Sequence, residues 1–462
     1  MIHKFQFHGE NIVMDVNSGA VHVLEPVAYA LLDHYEGGLD RRERRVKRGE
    51  AMEELSGRFP REEMETAWEE LSRLEDDGAL FADDYHVTND MLENRGSVIK
   101  AMCLHVAHDC NLRCSYCFAD KGAFCGDRSL MSLETGKKAI DFLLEQSGGR
   151  RNLELDFFGG EPLMNFDVVK ELVAYGRERE KEYGKNIRFT ITTNGVLLDQ
   201  EKSAFINGEM SNVILSIDGR PEVNDRMRKT VNGKGSYDCI IKNYKDFVQK
   251  REGLYYVRGT FTKDNLDFAE DVKHLADLGF RNVSVEPVVT DPSVPFAILE
   301  EDEERILKEY DRLAELYLDY AKQGKEFSFF HFNVDLEQGP CVYKRVAGCG
   351  AGTEYVAVSP EGDIYPCHQF VGNEDFLLGN VNGPAFENRL YDTFNKAHIY
   401  NKSDCRLCWA KFYCSGGCHA NAYFSNGDIR KPYHLGCLLE RKRLECAIGI
   451  QAVLAGACRE EA

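Results

Sequence analysis

The chain predicts an α/β fold of six parallel strand–helix units, preceded by a small separate domain and followed by a cysteine-rich one. Two observations carry this. Strand-like runs lie at residues 97–107, before 156–162, at 190–195, 213–219, 255–262 and 282–288, with helical patterns between all six. Strands that alternate with helices make parallel β/α units. The first four runs each end in small, polar or cysteine residues, and parallel sheets bind ligands at the carboxyl ends of their strands. The polar motifs therefore gather on one rim. At 462 residues the chain exceeds what one hydrophobic core serves, so two or three domains are expected.

Taken in order, residues 4–7 and 11–16 alternate in polarity, and Asn17-Ser18-Gly19 offers a turn before 20–24. Helical patterns follow at 26–35, 48–59 and 61–74, the last introduced by Pro60. Asp76-Asp77-Gly78-Ala79-Leu80-Phe81 reads as a turn into a short strand. The sum is a β-ribbon, three helices and a small wing, a winged-helix-like unit. Such a unit serves peptide recognition, DNA binding or packing.

The first of the six strands runs into His-Asp-Cys-Asn-Leu-Arg-Cys-Ser-Tyr-Cys-Phe at 108–118. Cys110, Cys114 and Cys117 supply three thiolates where a four-iron cluster has four irons, leaving one iron open to chemistry. By spacing alone they also fit part of a structural zinc site. Asp156-Phe157-Phe158-Gly159-Gly160-Glu161-Pro162 ends the second strand in two glycines and a carboxylate, which lets backbone approach a ligand and offers Glu161 to an ammonium. The third closes on Thr193-Asn194-Gly195, and the fourth on Ser216-Ile217-Asp218-Gly219. Arg258 and Glu286 lie on the fifth and sixth.

This Cys-x3-Cys-x2-Cys loop, followed by Gly-Gly-Glu-Pro, resembles the signature of the radical S-adenosylmethionine (radical SAM) enzymes. The resemblance implies a partial (β/α)6, TIM-like barrel, with S-adenosylmethionine on the open iron as the source of a 5'-deoxyadenosyl radical. It implies that Gly160 and Glu161 hold the methionine amino group, Asn194 and Ser216 the ribose, and Arg258 the carboxylate. Tyr116 and Phe118 would pack near the adenine. For Arg228, in Asn224-Asp225-Arg226-Met227-Arg228, two readings stay open: a further contact to the cofactor by that resemblance, or a charged helix start on solvated surface.

A second thiol region begins at Cys349, twelve residues before Gly362 and then Cys367. It continues as Cys405-x2-Cys408-x5-Cys414-x3-Cys418 and ends at Cys437. Cys405, Cys408, Cys414 and Cys418 alone also fit a zinc ribbon. The whole pattern is similar to the SPASM domain, which carries two auxiliary four-iron clusters. That resemblance implies Cys405, Cys408, Cys414 and Cys437 on the distal cluster, and Cys349, Cys367 and Cys418 on the nearer one. For the nearer cluster's fourth position, Cys341 and a substrate thiolate are both open. Cys103, Cys125, Cys239, Cys446 and Cys458 have no place in the scheme and read as small hydrophobes.

The expected division is 1–85 peptide recognition, 86–97 linker, 98–310 barrel, 311–337 connecting helix, 338–440 SPASM and 441–462 a carboxyl-terminal helix. The sequence lacks a secretory signal, so the sixteen cysteines are expected to be reduced and available to metal in a cytoplasmic setting. No apolar run reaches membrane-spanning length. A net charge of −20 disfavours nucleic acid.

The amino-terminal unit resembles the recognition element of enzymes that modify ribosomally made peptides, which add a leader to a sheet edge. The opening Ile-His-Lys-Phe-x-Phe-x-Gly, the stretch 15–23, and 348–352 through 365–370 together resemble the SCIFF maturases. That family installs thioether crosslinks in a cysteine-rich peptide. The resemblance implies a thioether-forming maturase with three 4Fe-4S clusters and S-adenosylmethionine. Its partners would be a cysteine-rich precursor peptide and a reductant such as flavodoxin or ferredoxin, with no nucleic acid and no membrane. The rival readings are an anaerobic sulfatase maturase and a non-catalytic iron–sulfur or zinc-binding protein.

Overall fold

His8 and Gly9 take φ of 50° and 87°, the paired left-handed residues of a type I′ hairpin, and join β1 (Ile2–Phe7) to β2 (Glu10–Asp15). β3 (Val21–Leu24) pairs with β2, and among the described residues no strand pairs with its other edge. The computed structural model describes residues 1–38, 41–84, 96, 98–124, 126–336, 346–383, 386 and 388–460. The β2–β3 turn is bolted by buried Asp15, whose Oδ1 accepts from the backbone of Asn17 and Ser18 at 3.1 and 2.8 Å. Helices Pro26–Leu31, Arg41–Glu54 and Arg61–Asp76 follow. Val13, Leu31, Met64, Trp68 and Leu71 form their shared core.

Two expectations change here. The helix expected at 48–59 instead spans Arg41–Glu54; its basic first half is polar enough to hide the start, while Ala51 and Met52 are buried. The short strand expected after Asp76 does not form. Ala79 O meets His22 Nε2 at 3.0 Å, Ala82 O accepts from Asn17 Nδ2 at 2.8 Å, and Ala82 N donates to Asp15 Oδ2 at 3.3 Å. Side chains thus take backbone groups that a strand partner would need. Phe81 takes φ 53° and stacks on Tyr35.

This domain does not stand apart. A Cβ on Gly449 would meet the Phe7 ring at 2.3 Å, so the glycine opens the helix His434–Glu460 to β1. His3 stacks on Trp409 with centroids 3.7 Å apart and 4° between planes. Val16 packs with Val346, Ile399, Cys405 and Phe412.

The barrel strands are β4 (Ala101–Ala107), β5 (Asn152–Gly159), β6 (Asn186–Thr193), β7 (Asn212–Ser216), β8 (Leu254–Phe261) and β9 (Asn282–Pro287). Each is parallel to the next. In β5, Leu153, Leu155 and Phe157 are buried while Glu154, Asp156 and Phe158 alternate with them, the period-two pattern of a strand with two distinct faces. The buried face is covered by helices such as Leu133–Gln146, whose Ser132 cap accepts from Thr135 N, and Phe166–Tyr183, which ends on Gly184 at φ 63°.

The sheet continues past the six units. β10 (Ser328–Phe329) adds parallel to β9. On the other side β11 (Tyr355–Val358) adds parallel to β4, and β12 (Asp363–Tyr365) and β13 (Gly379–Asn380) follow antiparallel. The order is β10-β9-β8-β7-β6-β5-β4-β11-β12-β13. The cysteine-rich region is therefore hydrogen-bonded into the barrel sheet beside the strand that leads to Cys110. Among the described residues no helix is long and apolar enough to cross a membrane.

Candidate active site

The loop after β4 and the ends of β5, β6 and β7 enclose a cavity of about 140 Å³ lined by Cys110, Cys114 and Cys117 with Glu161, Asn194 and Ser216. Glycine makes the closure possible. A Cβ on Gly159 would lie 2.2 Å from Ala107 O, and one on Gly160 2.2 Å from Asp109 O. Without side chains there, Gly160 N donates to Ala107 O at 2.8 Å and Glu161 N to Asp109 O at 2.9 Å. The thiol loop is strapped from the other side, where Arg113 N donates to Lys229 O and Ser115 N to Met227 O at 2.7 and 2.9 Å.

Burial pushes the Cys110 thiol up to about 12, with Glu161 adding to the shift, and the Cys114 thiol up to about 11 against the pull of Arg228. Neither ionises readily by itself near neutrality, whereas a bound metal deprotonates its thiols outright. Three thiols on one wall, with room before them, fit an iron–sulfur cluster that keeps one iron free. Among the described residues no three His, Cys, Asp or Glu gather round a point as for a single metal ion.

Glu161 is fully buried. Its Oε1 accepts from Thr193 Oγ1 at 2.7 Å and Leu163 N at 3.1 Å, and its Oε2 from Asn194 N at 2.7 Å. Burial still pushes its carboxyl up to about 7. Three of roughly four acceptor sites are thus used in fixing the strand ends, and about one remains towards the cavity. Asn194 Nδ2 donates to Asn111 Oδ1 at 2.8 Å, locking the third strand's end to the thiol loop.

Arg228 enters this site, where the sequence leaves it between a cofactor contact and solvated surface. It caps the carboxyl end of the helix Pro221–Met227, not a helix start. It is buried, lines the cavity, and its Nε has no hydrogen-bond partner. Arg228 Nη1 donates to Tyr116 Oη at 2.8 Å, and Tyr116 Oη donates to Asp218 at 2.7 Å. Burial pushes Asp218 up to about 6 although Arg228 draws it down. Tyr116 and Asp218 thus hold a guanidinium with a donor to spare. The signal in the sequence was the pair Asp218 and Arg228 flanking one short helix.

Phe118 lines the cavity with 54% of its surface exposed. Arg258 is paired in register with Ser216, yet it is not among the residues lining the cavity. Its side chain is 55% exposed and 3.9 Å from Glu286.

The carboxyl-terminal thiols fall into two neighbourhoods. Cys367 is pushed up by burial and then by Cys349 and Cys418, and Cys349 by burial and Cys418. Separately, burial takes Cys405 to about 11, with Lys402 opposing and Cys437 and Cys408 adding. Cys414 goes to about 12 by burial, then Glu440, Cys437 and Cys405. Cys341 and Cys125 lie outside the described residues, as does the side chain of Cys458. Cys103 Sγ is 4.0 Å from Asp156, Cys446 Sγ meets Tyr310 O at 3.7 Å, and Cys239 is exposed. His368, next to Cys367, links the two regions: its ring lies 5.6 Å from Phe118 and 5.4 Å from Phe158, both on the cavity wall.

Residues 104–265, which build most of this cavity, match the model of the Radical SAM superfamily. A cysteine-type anaerobic sulfatase-maturating enzyme of Clostridium novyi (strain NT) is 24% identical over 341 residues, 69% of this chain and 88% of its own. The solved structure of native anSMEcpe with bound AdoMet superposes with a TM-score of 0.63 at 19% identity, over 77% of this chain and 99% of that one. Streptococcus suis SuiB bound to precursor peptide SuiA covers 94% of this chain and 98% of its own, with a TM-score of 0.53 and 16% identity. The α/β fold expected from the strand–helix alternation is borne out, and its large parallel sheet matches the radical SAM fold of these solved structures, as the resemblance of the cysteine motif implied.

Proposed function

We propose that this protein is a radical S-adenosylmethionine maturase that joins cysteine sulfur to carbon in a ribosomally made, cysteine-rich precursor peptide. The carrying observation is the ring bridge from the cavity through Phe118, Phe158 and His368 to Cys367. A substrate residue lying against it touches the site of hydrogen abstraction on one side and the nearer auxiliary thiols on the other.

Cys110, Cys114 and Cys117 would hold the radical cluster. That cluster with S-adenosylmethionine supplies one-electron chemistry that removes hydrogen from carbon. Glu161 and Gly160 position the methionine amino end, and Asn194 and Ser216 the ribose. Arg228 is the better partner for the carboxylate than Arg258, because its Nε is buried without an acceptor and an anion in the cavity would satisfy it. Phe118 offers an apolar face to the adenine. Cys349, Cys367 and Cys418 would hold the nearer auxiliary cluster, with Cys341 or the substrate thiolate completing it, and Cys405, Cys408, Cys414 and Cys437 the distal one. Phe118 and Phe158 limit water around the reacting carbon.

The open edge of β3, where Val23 is 49% exposed, is suited to a leader peptide, since strand addition satisfies its free backbone groups. The SuiB likeness runs over 94% of this chain against 77% for anSMEcpe, which favours a peptide maturase with a recognition domain. A reductant of the flavodoxin or ferredoxin type in a reduced cytoplasm would supply electrons. The sulfatase-maturating relative supports a second reading, formylglycine formation.

The test is anaerobic incubation of the reconstituted protein with S-adenosylmethionine, reductant and a cysteine-rich peptide encoded beside its gene. Loss of one hydrogen pair per crosslink with a cysteine masked from alkylation is expected. A hydrazide-reactive aldehyde would establish the second reading instead.

A further inference from the structure

Lys402 is 1% exposed. A buried lysine is rare, because an apolar chain of its length would fill the space without the cost of desolvating an ammonium. Its Nζ donates to Gly416 O at 2.7 Å, which leaves two of its three N–H donors for other acceptors. Gly416 lies in Cys414-Ser415-Gly416-Gly417-Cys418, where Ser415, Gly416 and Gly417 take φ of 58°, 90° and 73°. Two of these are glycines, free to take that conformation, and Lys402 lies close against the loop, a Cβ on Gly416 falling 3.4 Å from its Nζ.

Burial draws the Lys402 ammonium down, and Cys405, Cys414, Cys437 and Cys418, which span both thiol neighbourhoods, hold it up when they are thiolates, as metal ligands are. Other charges act near these thiols: Glu440 on Cys414, Arg441 on Cys437, and Asp404 on Cys405 and Cys437. Asp404 is exposed and Glu440 and Arg441 are partly so, so solvent screens them more than it screens Lys402.

We propose that Lys402 is a positioning residue and fixed counter-charge for the distal auxiliary iron–sulfur site, anchoring the Cys414–Cys418 loop and raising that cluster's reduction potential. This rests on the assignment of Cys405, Cys408, Cys414 and Cys437 as cluster ligands. A cation held close in a low-dielectric setting favours the more negative, reduced state of a cluster, and nearby charge and hydrogen bonds to sulfur are established controls of cluster potential.

The experiment is an electron paramagnetic resonance redox titration of the anaerobically reconstituted full chain. Lys402→Met is expected to keep its iron while one auxiliary signal becomes about tenfold harder to reduce at fixed potential, about 59 mV for a one-electron couple. Lys402→Arg should restore the parent midpoint, and the radical cluster should not move. An unchanged auxiliary midpoint in iron-replete Lys402→Met overturns the inference. If Lys402→Met fails to assemble, pulsed resonance on unmutated protein carrying lysine labelled with 15N at Nζ decides: a 15N coupling in the reduced auxiliary signal supports the proposal, and its absence overturns it. Iron in the parent sufficient for the radical cluster alone would overturn the ligand assignment itself, and the role of Lys402 with it.

Discussion

The barrel's three thiols and the seven behind it reach their places by different means. Cys110, Cys114 and Cys117 share a cavity because one short loop, pressed between Gly160 and the strap at Met227 and Lys229, gives them a common wall. The seven from Cys349 to Cys437 are sorted by long-range contacts: β11 pairs with β4, and Lys402 reaches across to Gly416. A site built on a loop is damaged locally, whereas a site assembled from distant segments depends on the whole fold.

The strongest break in that comparison comes from replacing Cys110, Cys114 and Cys117 together by alanine. S-adenosylmethionine cleavage to 5'-deoxyadenosine should be abolished, and iron should fall by about one four-iron cluster while auxiliary signals persist. Deoxyadenosine formed by the triple variant would refute the placement of the open iron.

The next effect separates two guanidiniums. Arg228→Gln removes the buried charge facing the cavity, and a charge-assisted hydrogen bond is worth about 1.5–3 kcal/mol, so S-adenosylmethionine should bind about tenfold or more weakly. Arg258→Gln should change that affinity less than about twofold, since its half-exposed head is well solvated. Equilibrium binding of S-adenosylmethionine to the two variants measures both, and the reverse order would return the carboxylate to Arg258.

How far the sequence reached follows the same division. The six barrel strands were legible because alternation and strand-end motifs are local, and the cysteine spacings were legible as pattern. Arg228 was legible only as one of two alternatives, because its burial depends on Tyr116, 112 residues away in the chain. β10 and β11 were not legible, since two- and four-residue strands become strands only through partners far off in sequence. The wing after Asp76 looked local, yet Asn17, Asp15 and His22 claim its backbone groups. Cys341 lies outside the described residues, so the nearer cluster's fourth ligand rests on chemistry alone.

A smaller effect tests the edge of β3. Val23→Asp puts a charge on the exposed edge without touching the thiols, and should leave peptide-independent deoxyadenosine formation unchanged. The peptide concentration needed for half-maximal crosslinking should rise several-fold, because leader binding raises the local concentration of the core. Equal concentration dependence in parent and variant would remove β3 as the leader site.

The smallest effect concerns how the amino-terminal domain is seated. His3 stacks flat on Trp409, beside Cys408, and its Nε2 lies 3.0 Å from Glu445 Oε1, so this one ring joins β1 to the thiol-rich region and to the last helix. An aromatic stack is worth about 0.5–1.5 kcal/mol beyond its buried area. Loss of about 1 kcal/mol in His3→Ala should therefore speed amide exchange in β1 about fivefold if that strand opens locally. Exchange in β5 and β6 should be unaffected, since those strands belong to a different sheet from β1. Glu445→Gln keeps the stack and should give a smaller change. Unaltered exchange in β1 would show that Phe7, wedged against Gly449, holds the domain by itself, and that the contact between the amino-terminal sheet and the thiol-rich region is incidental to its seating.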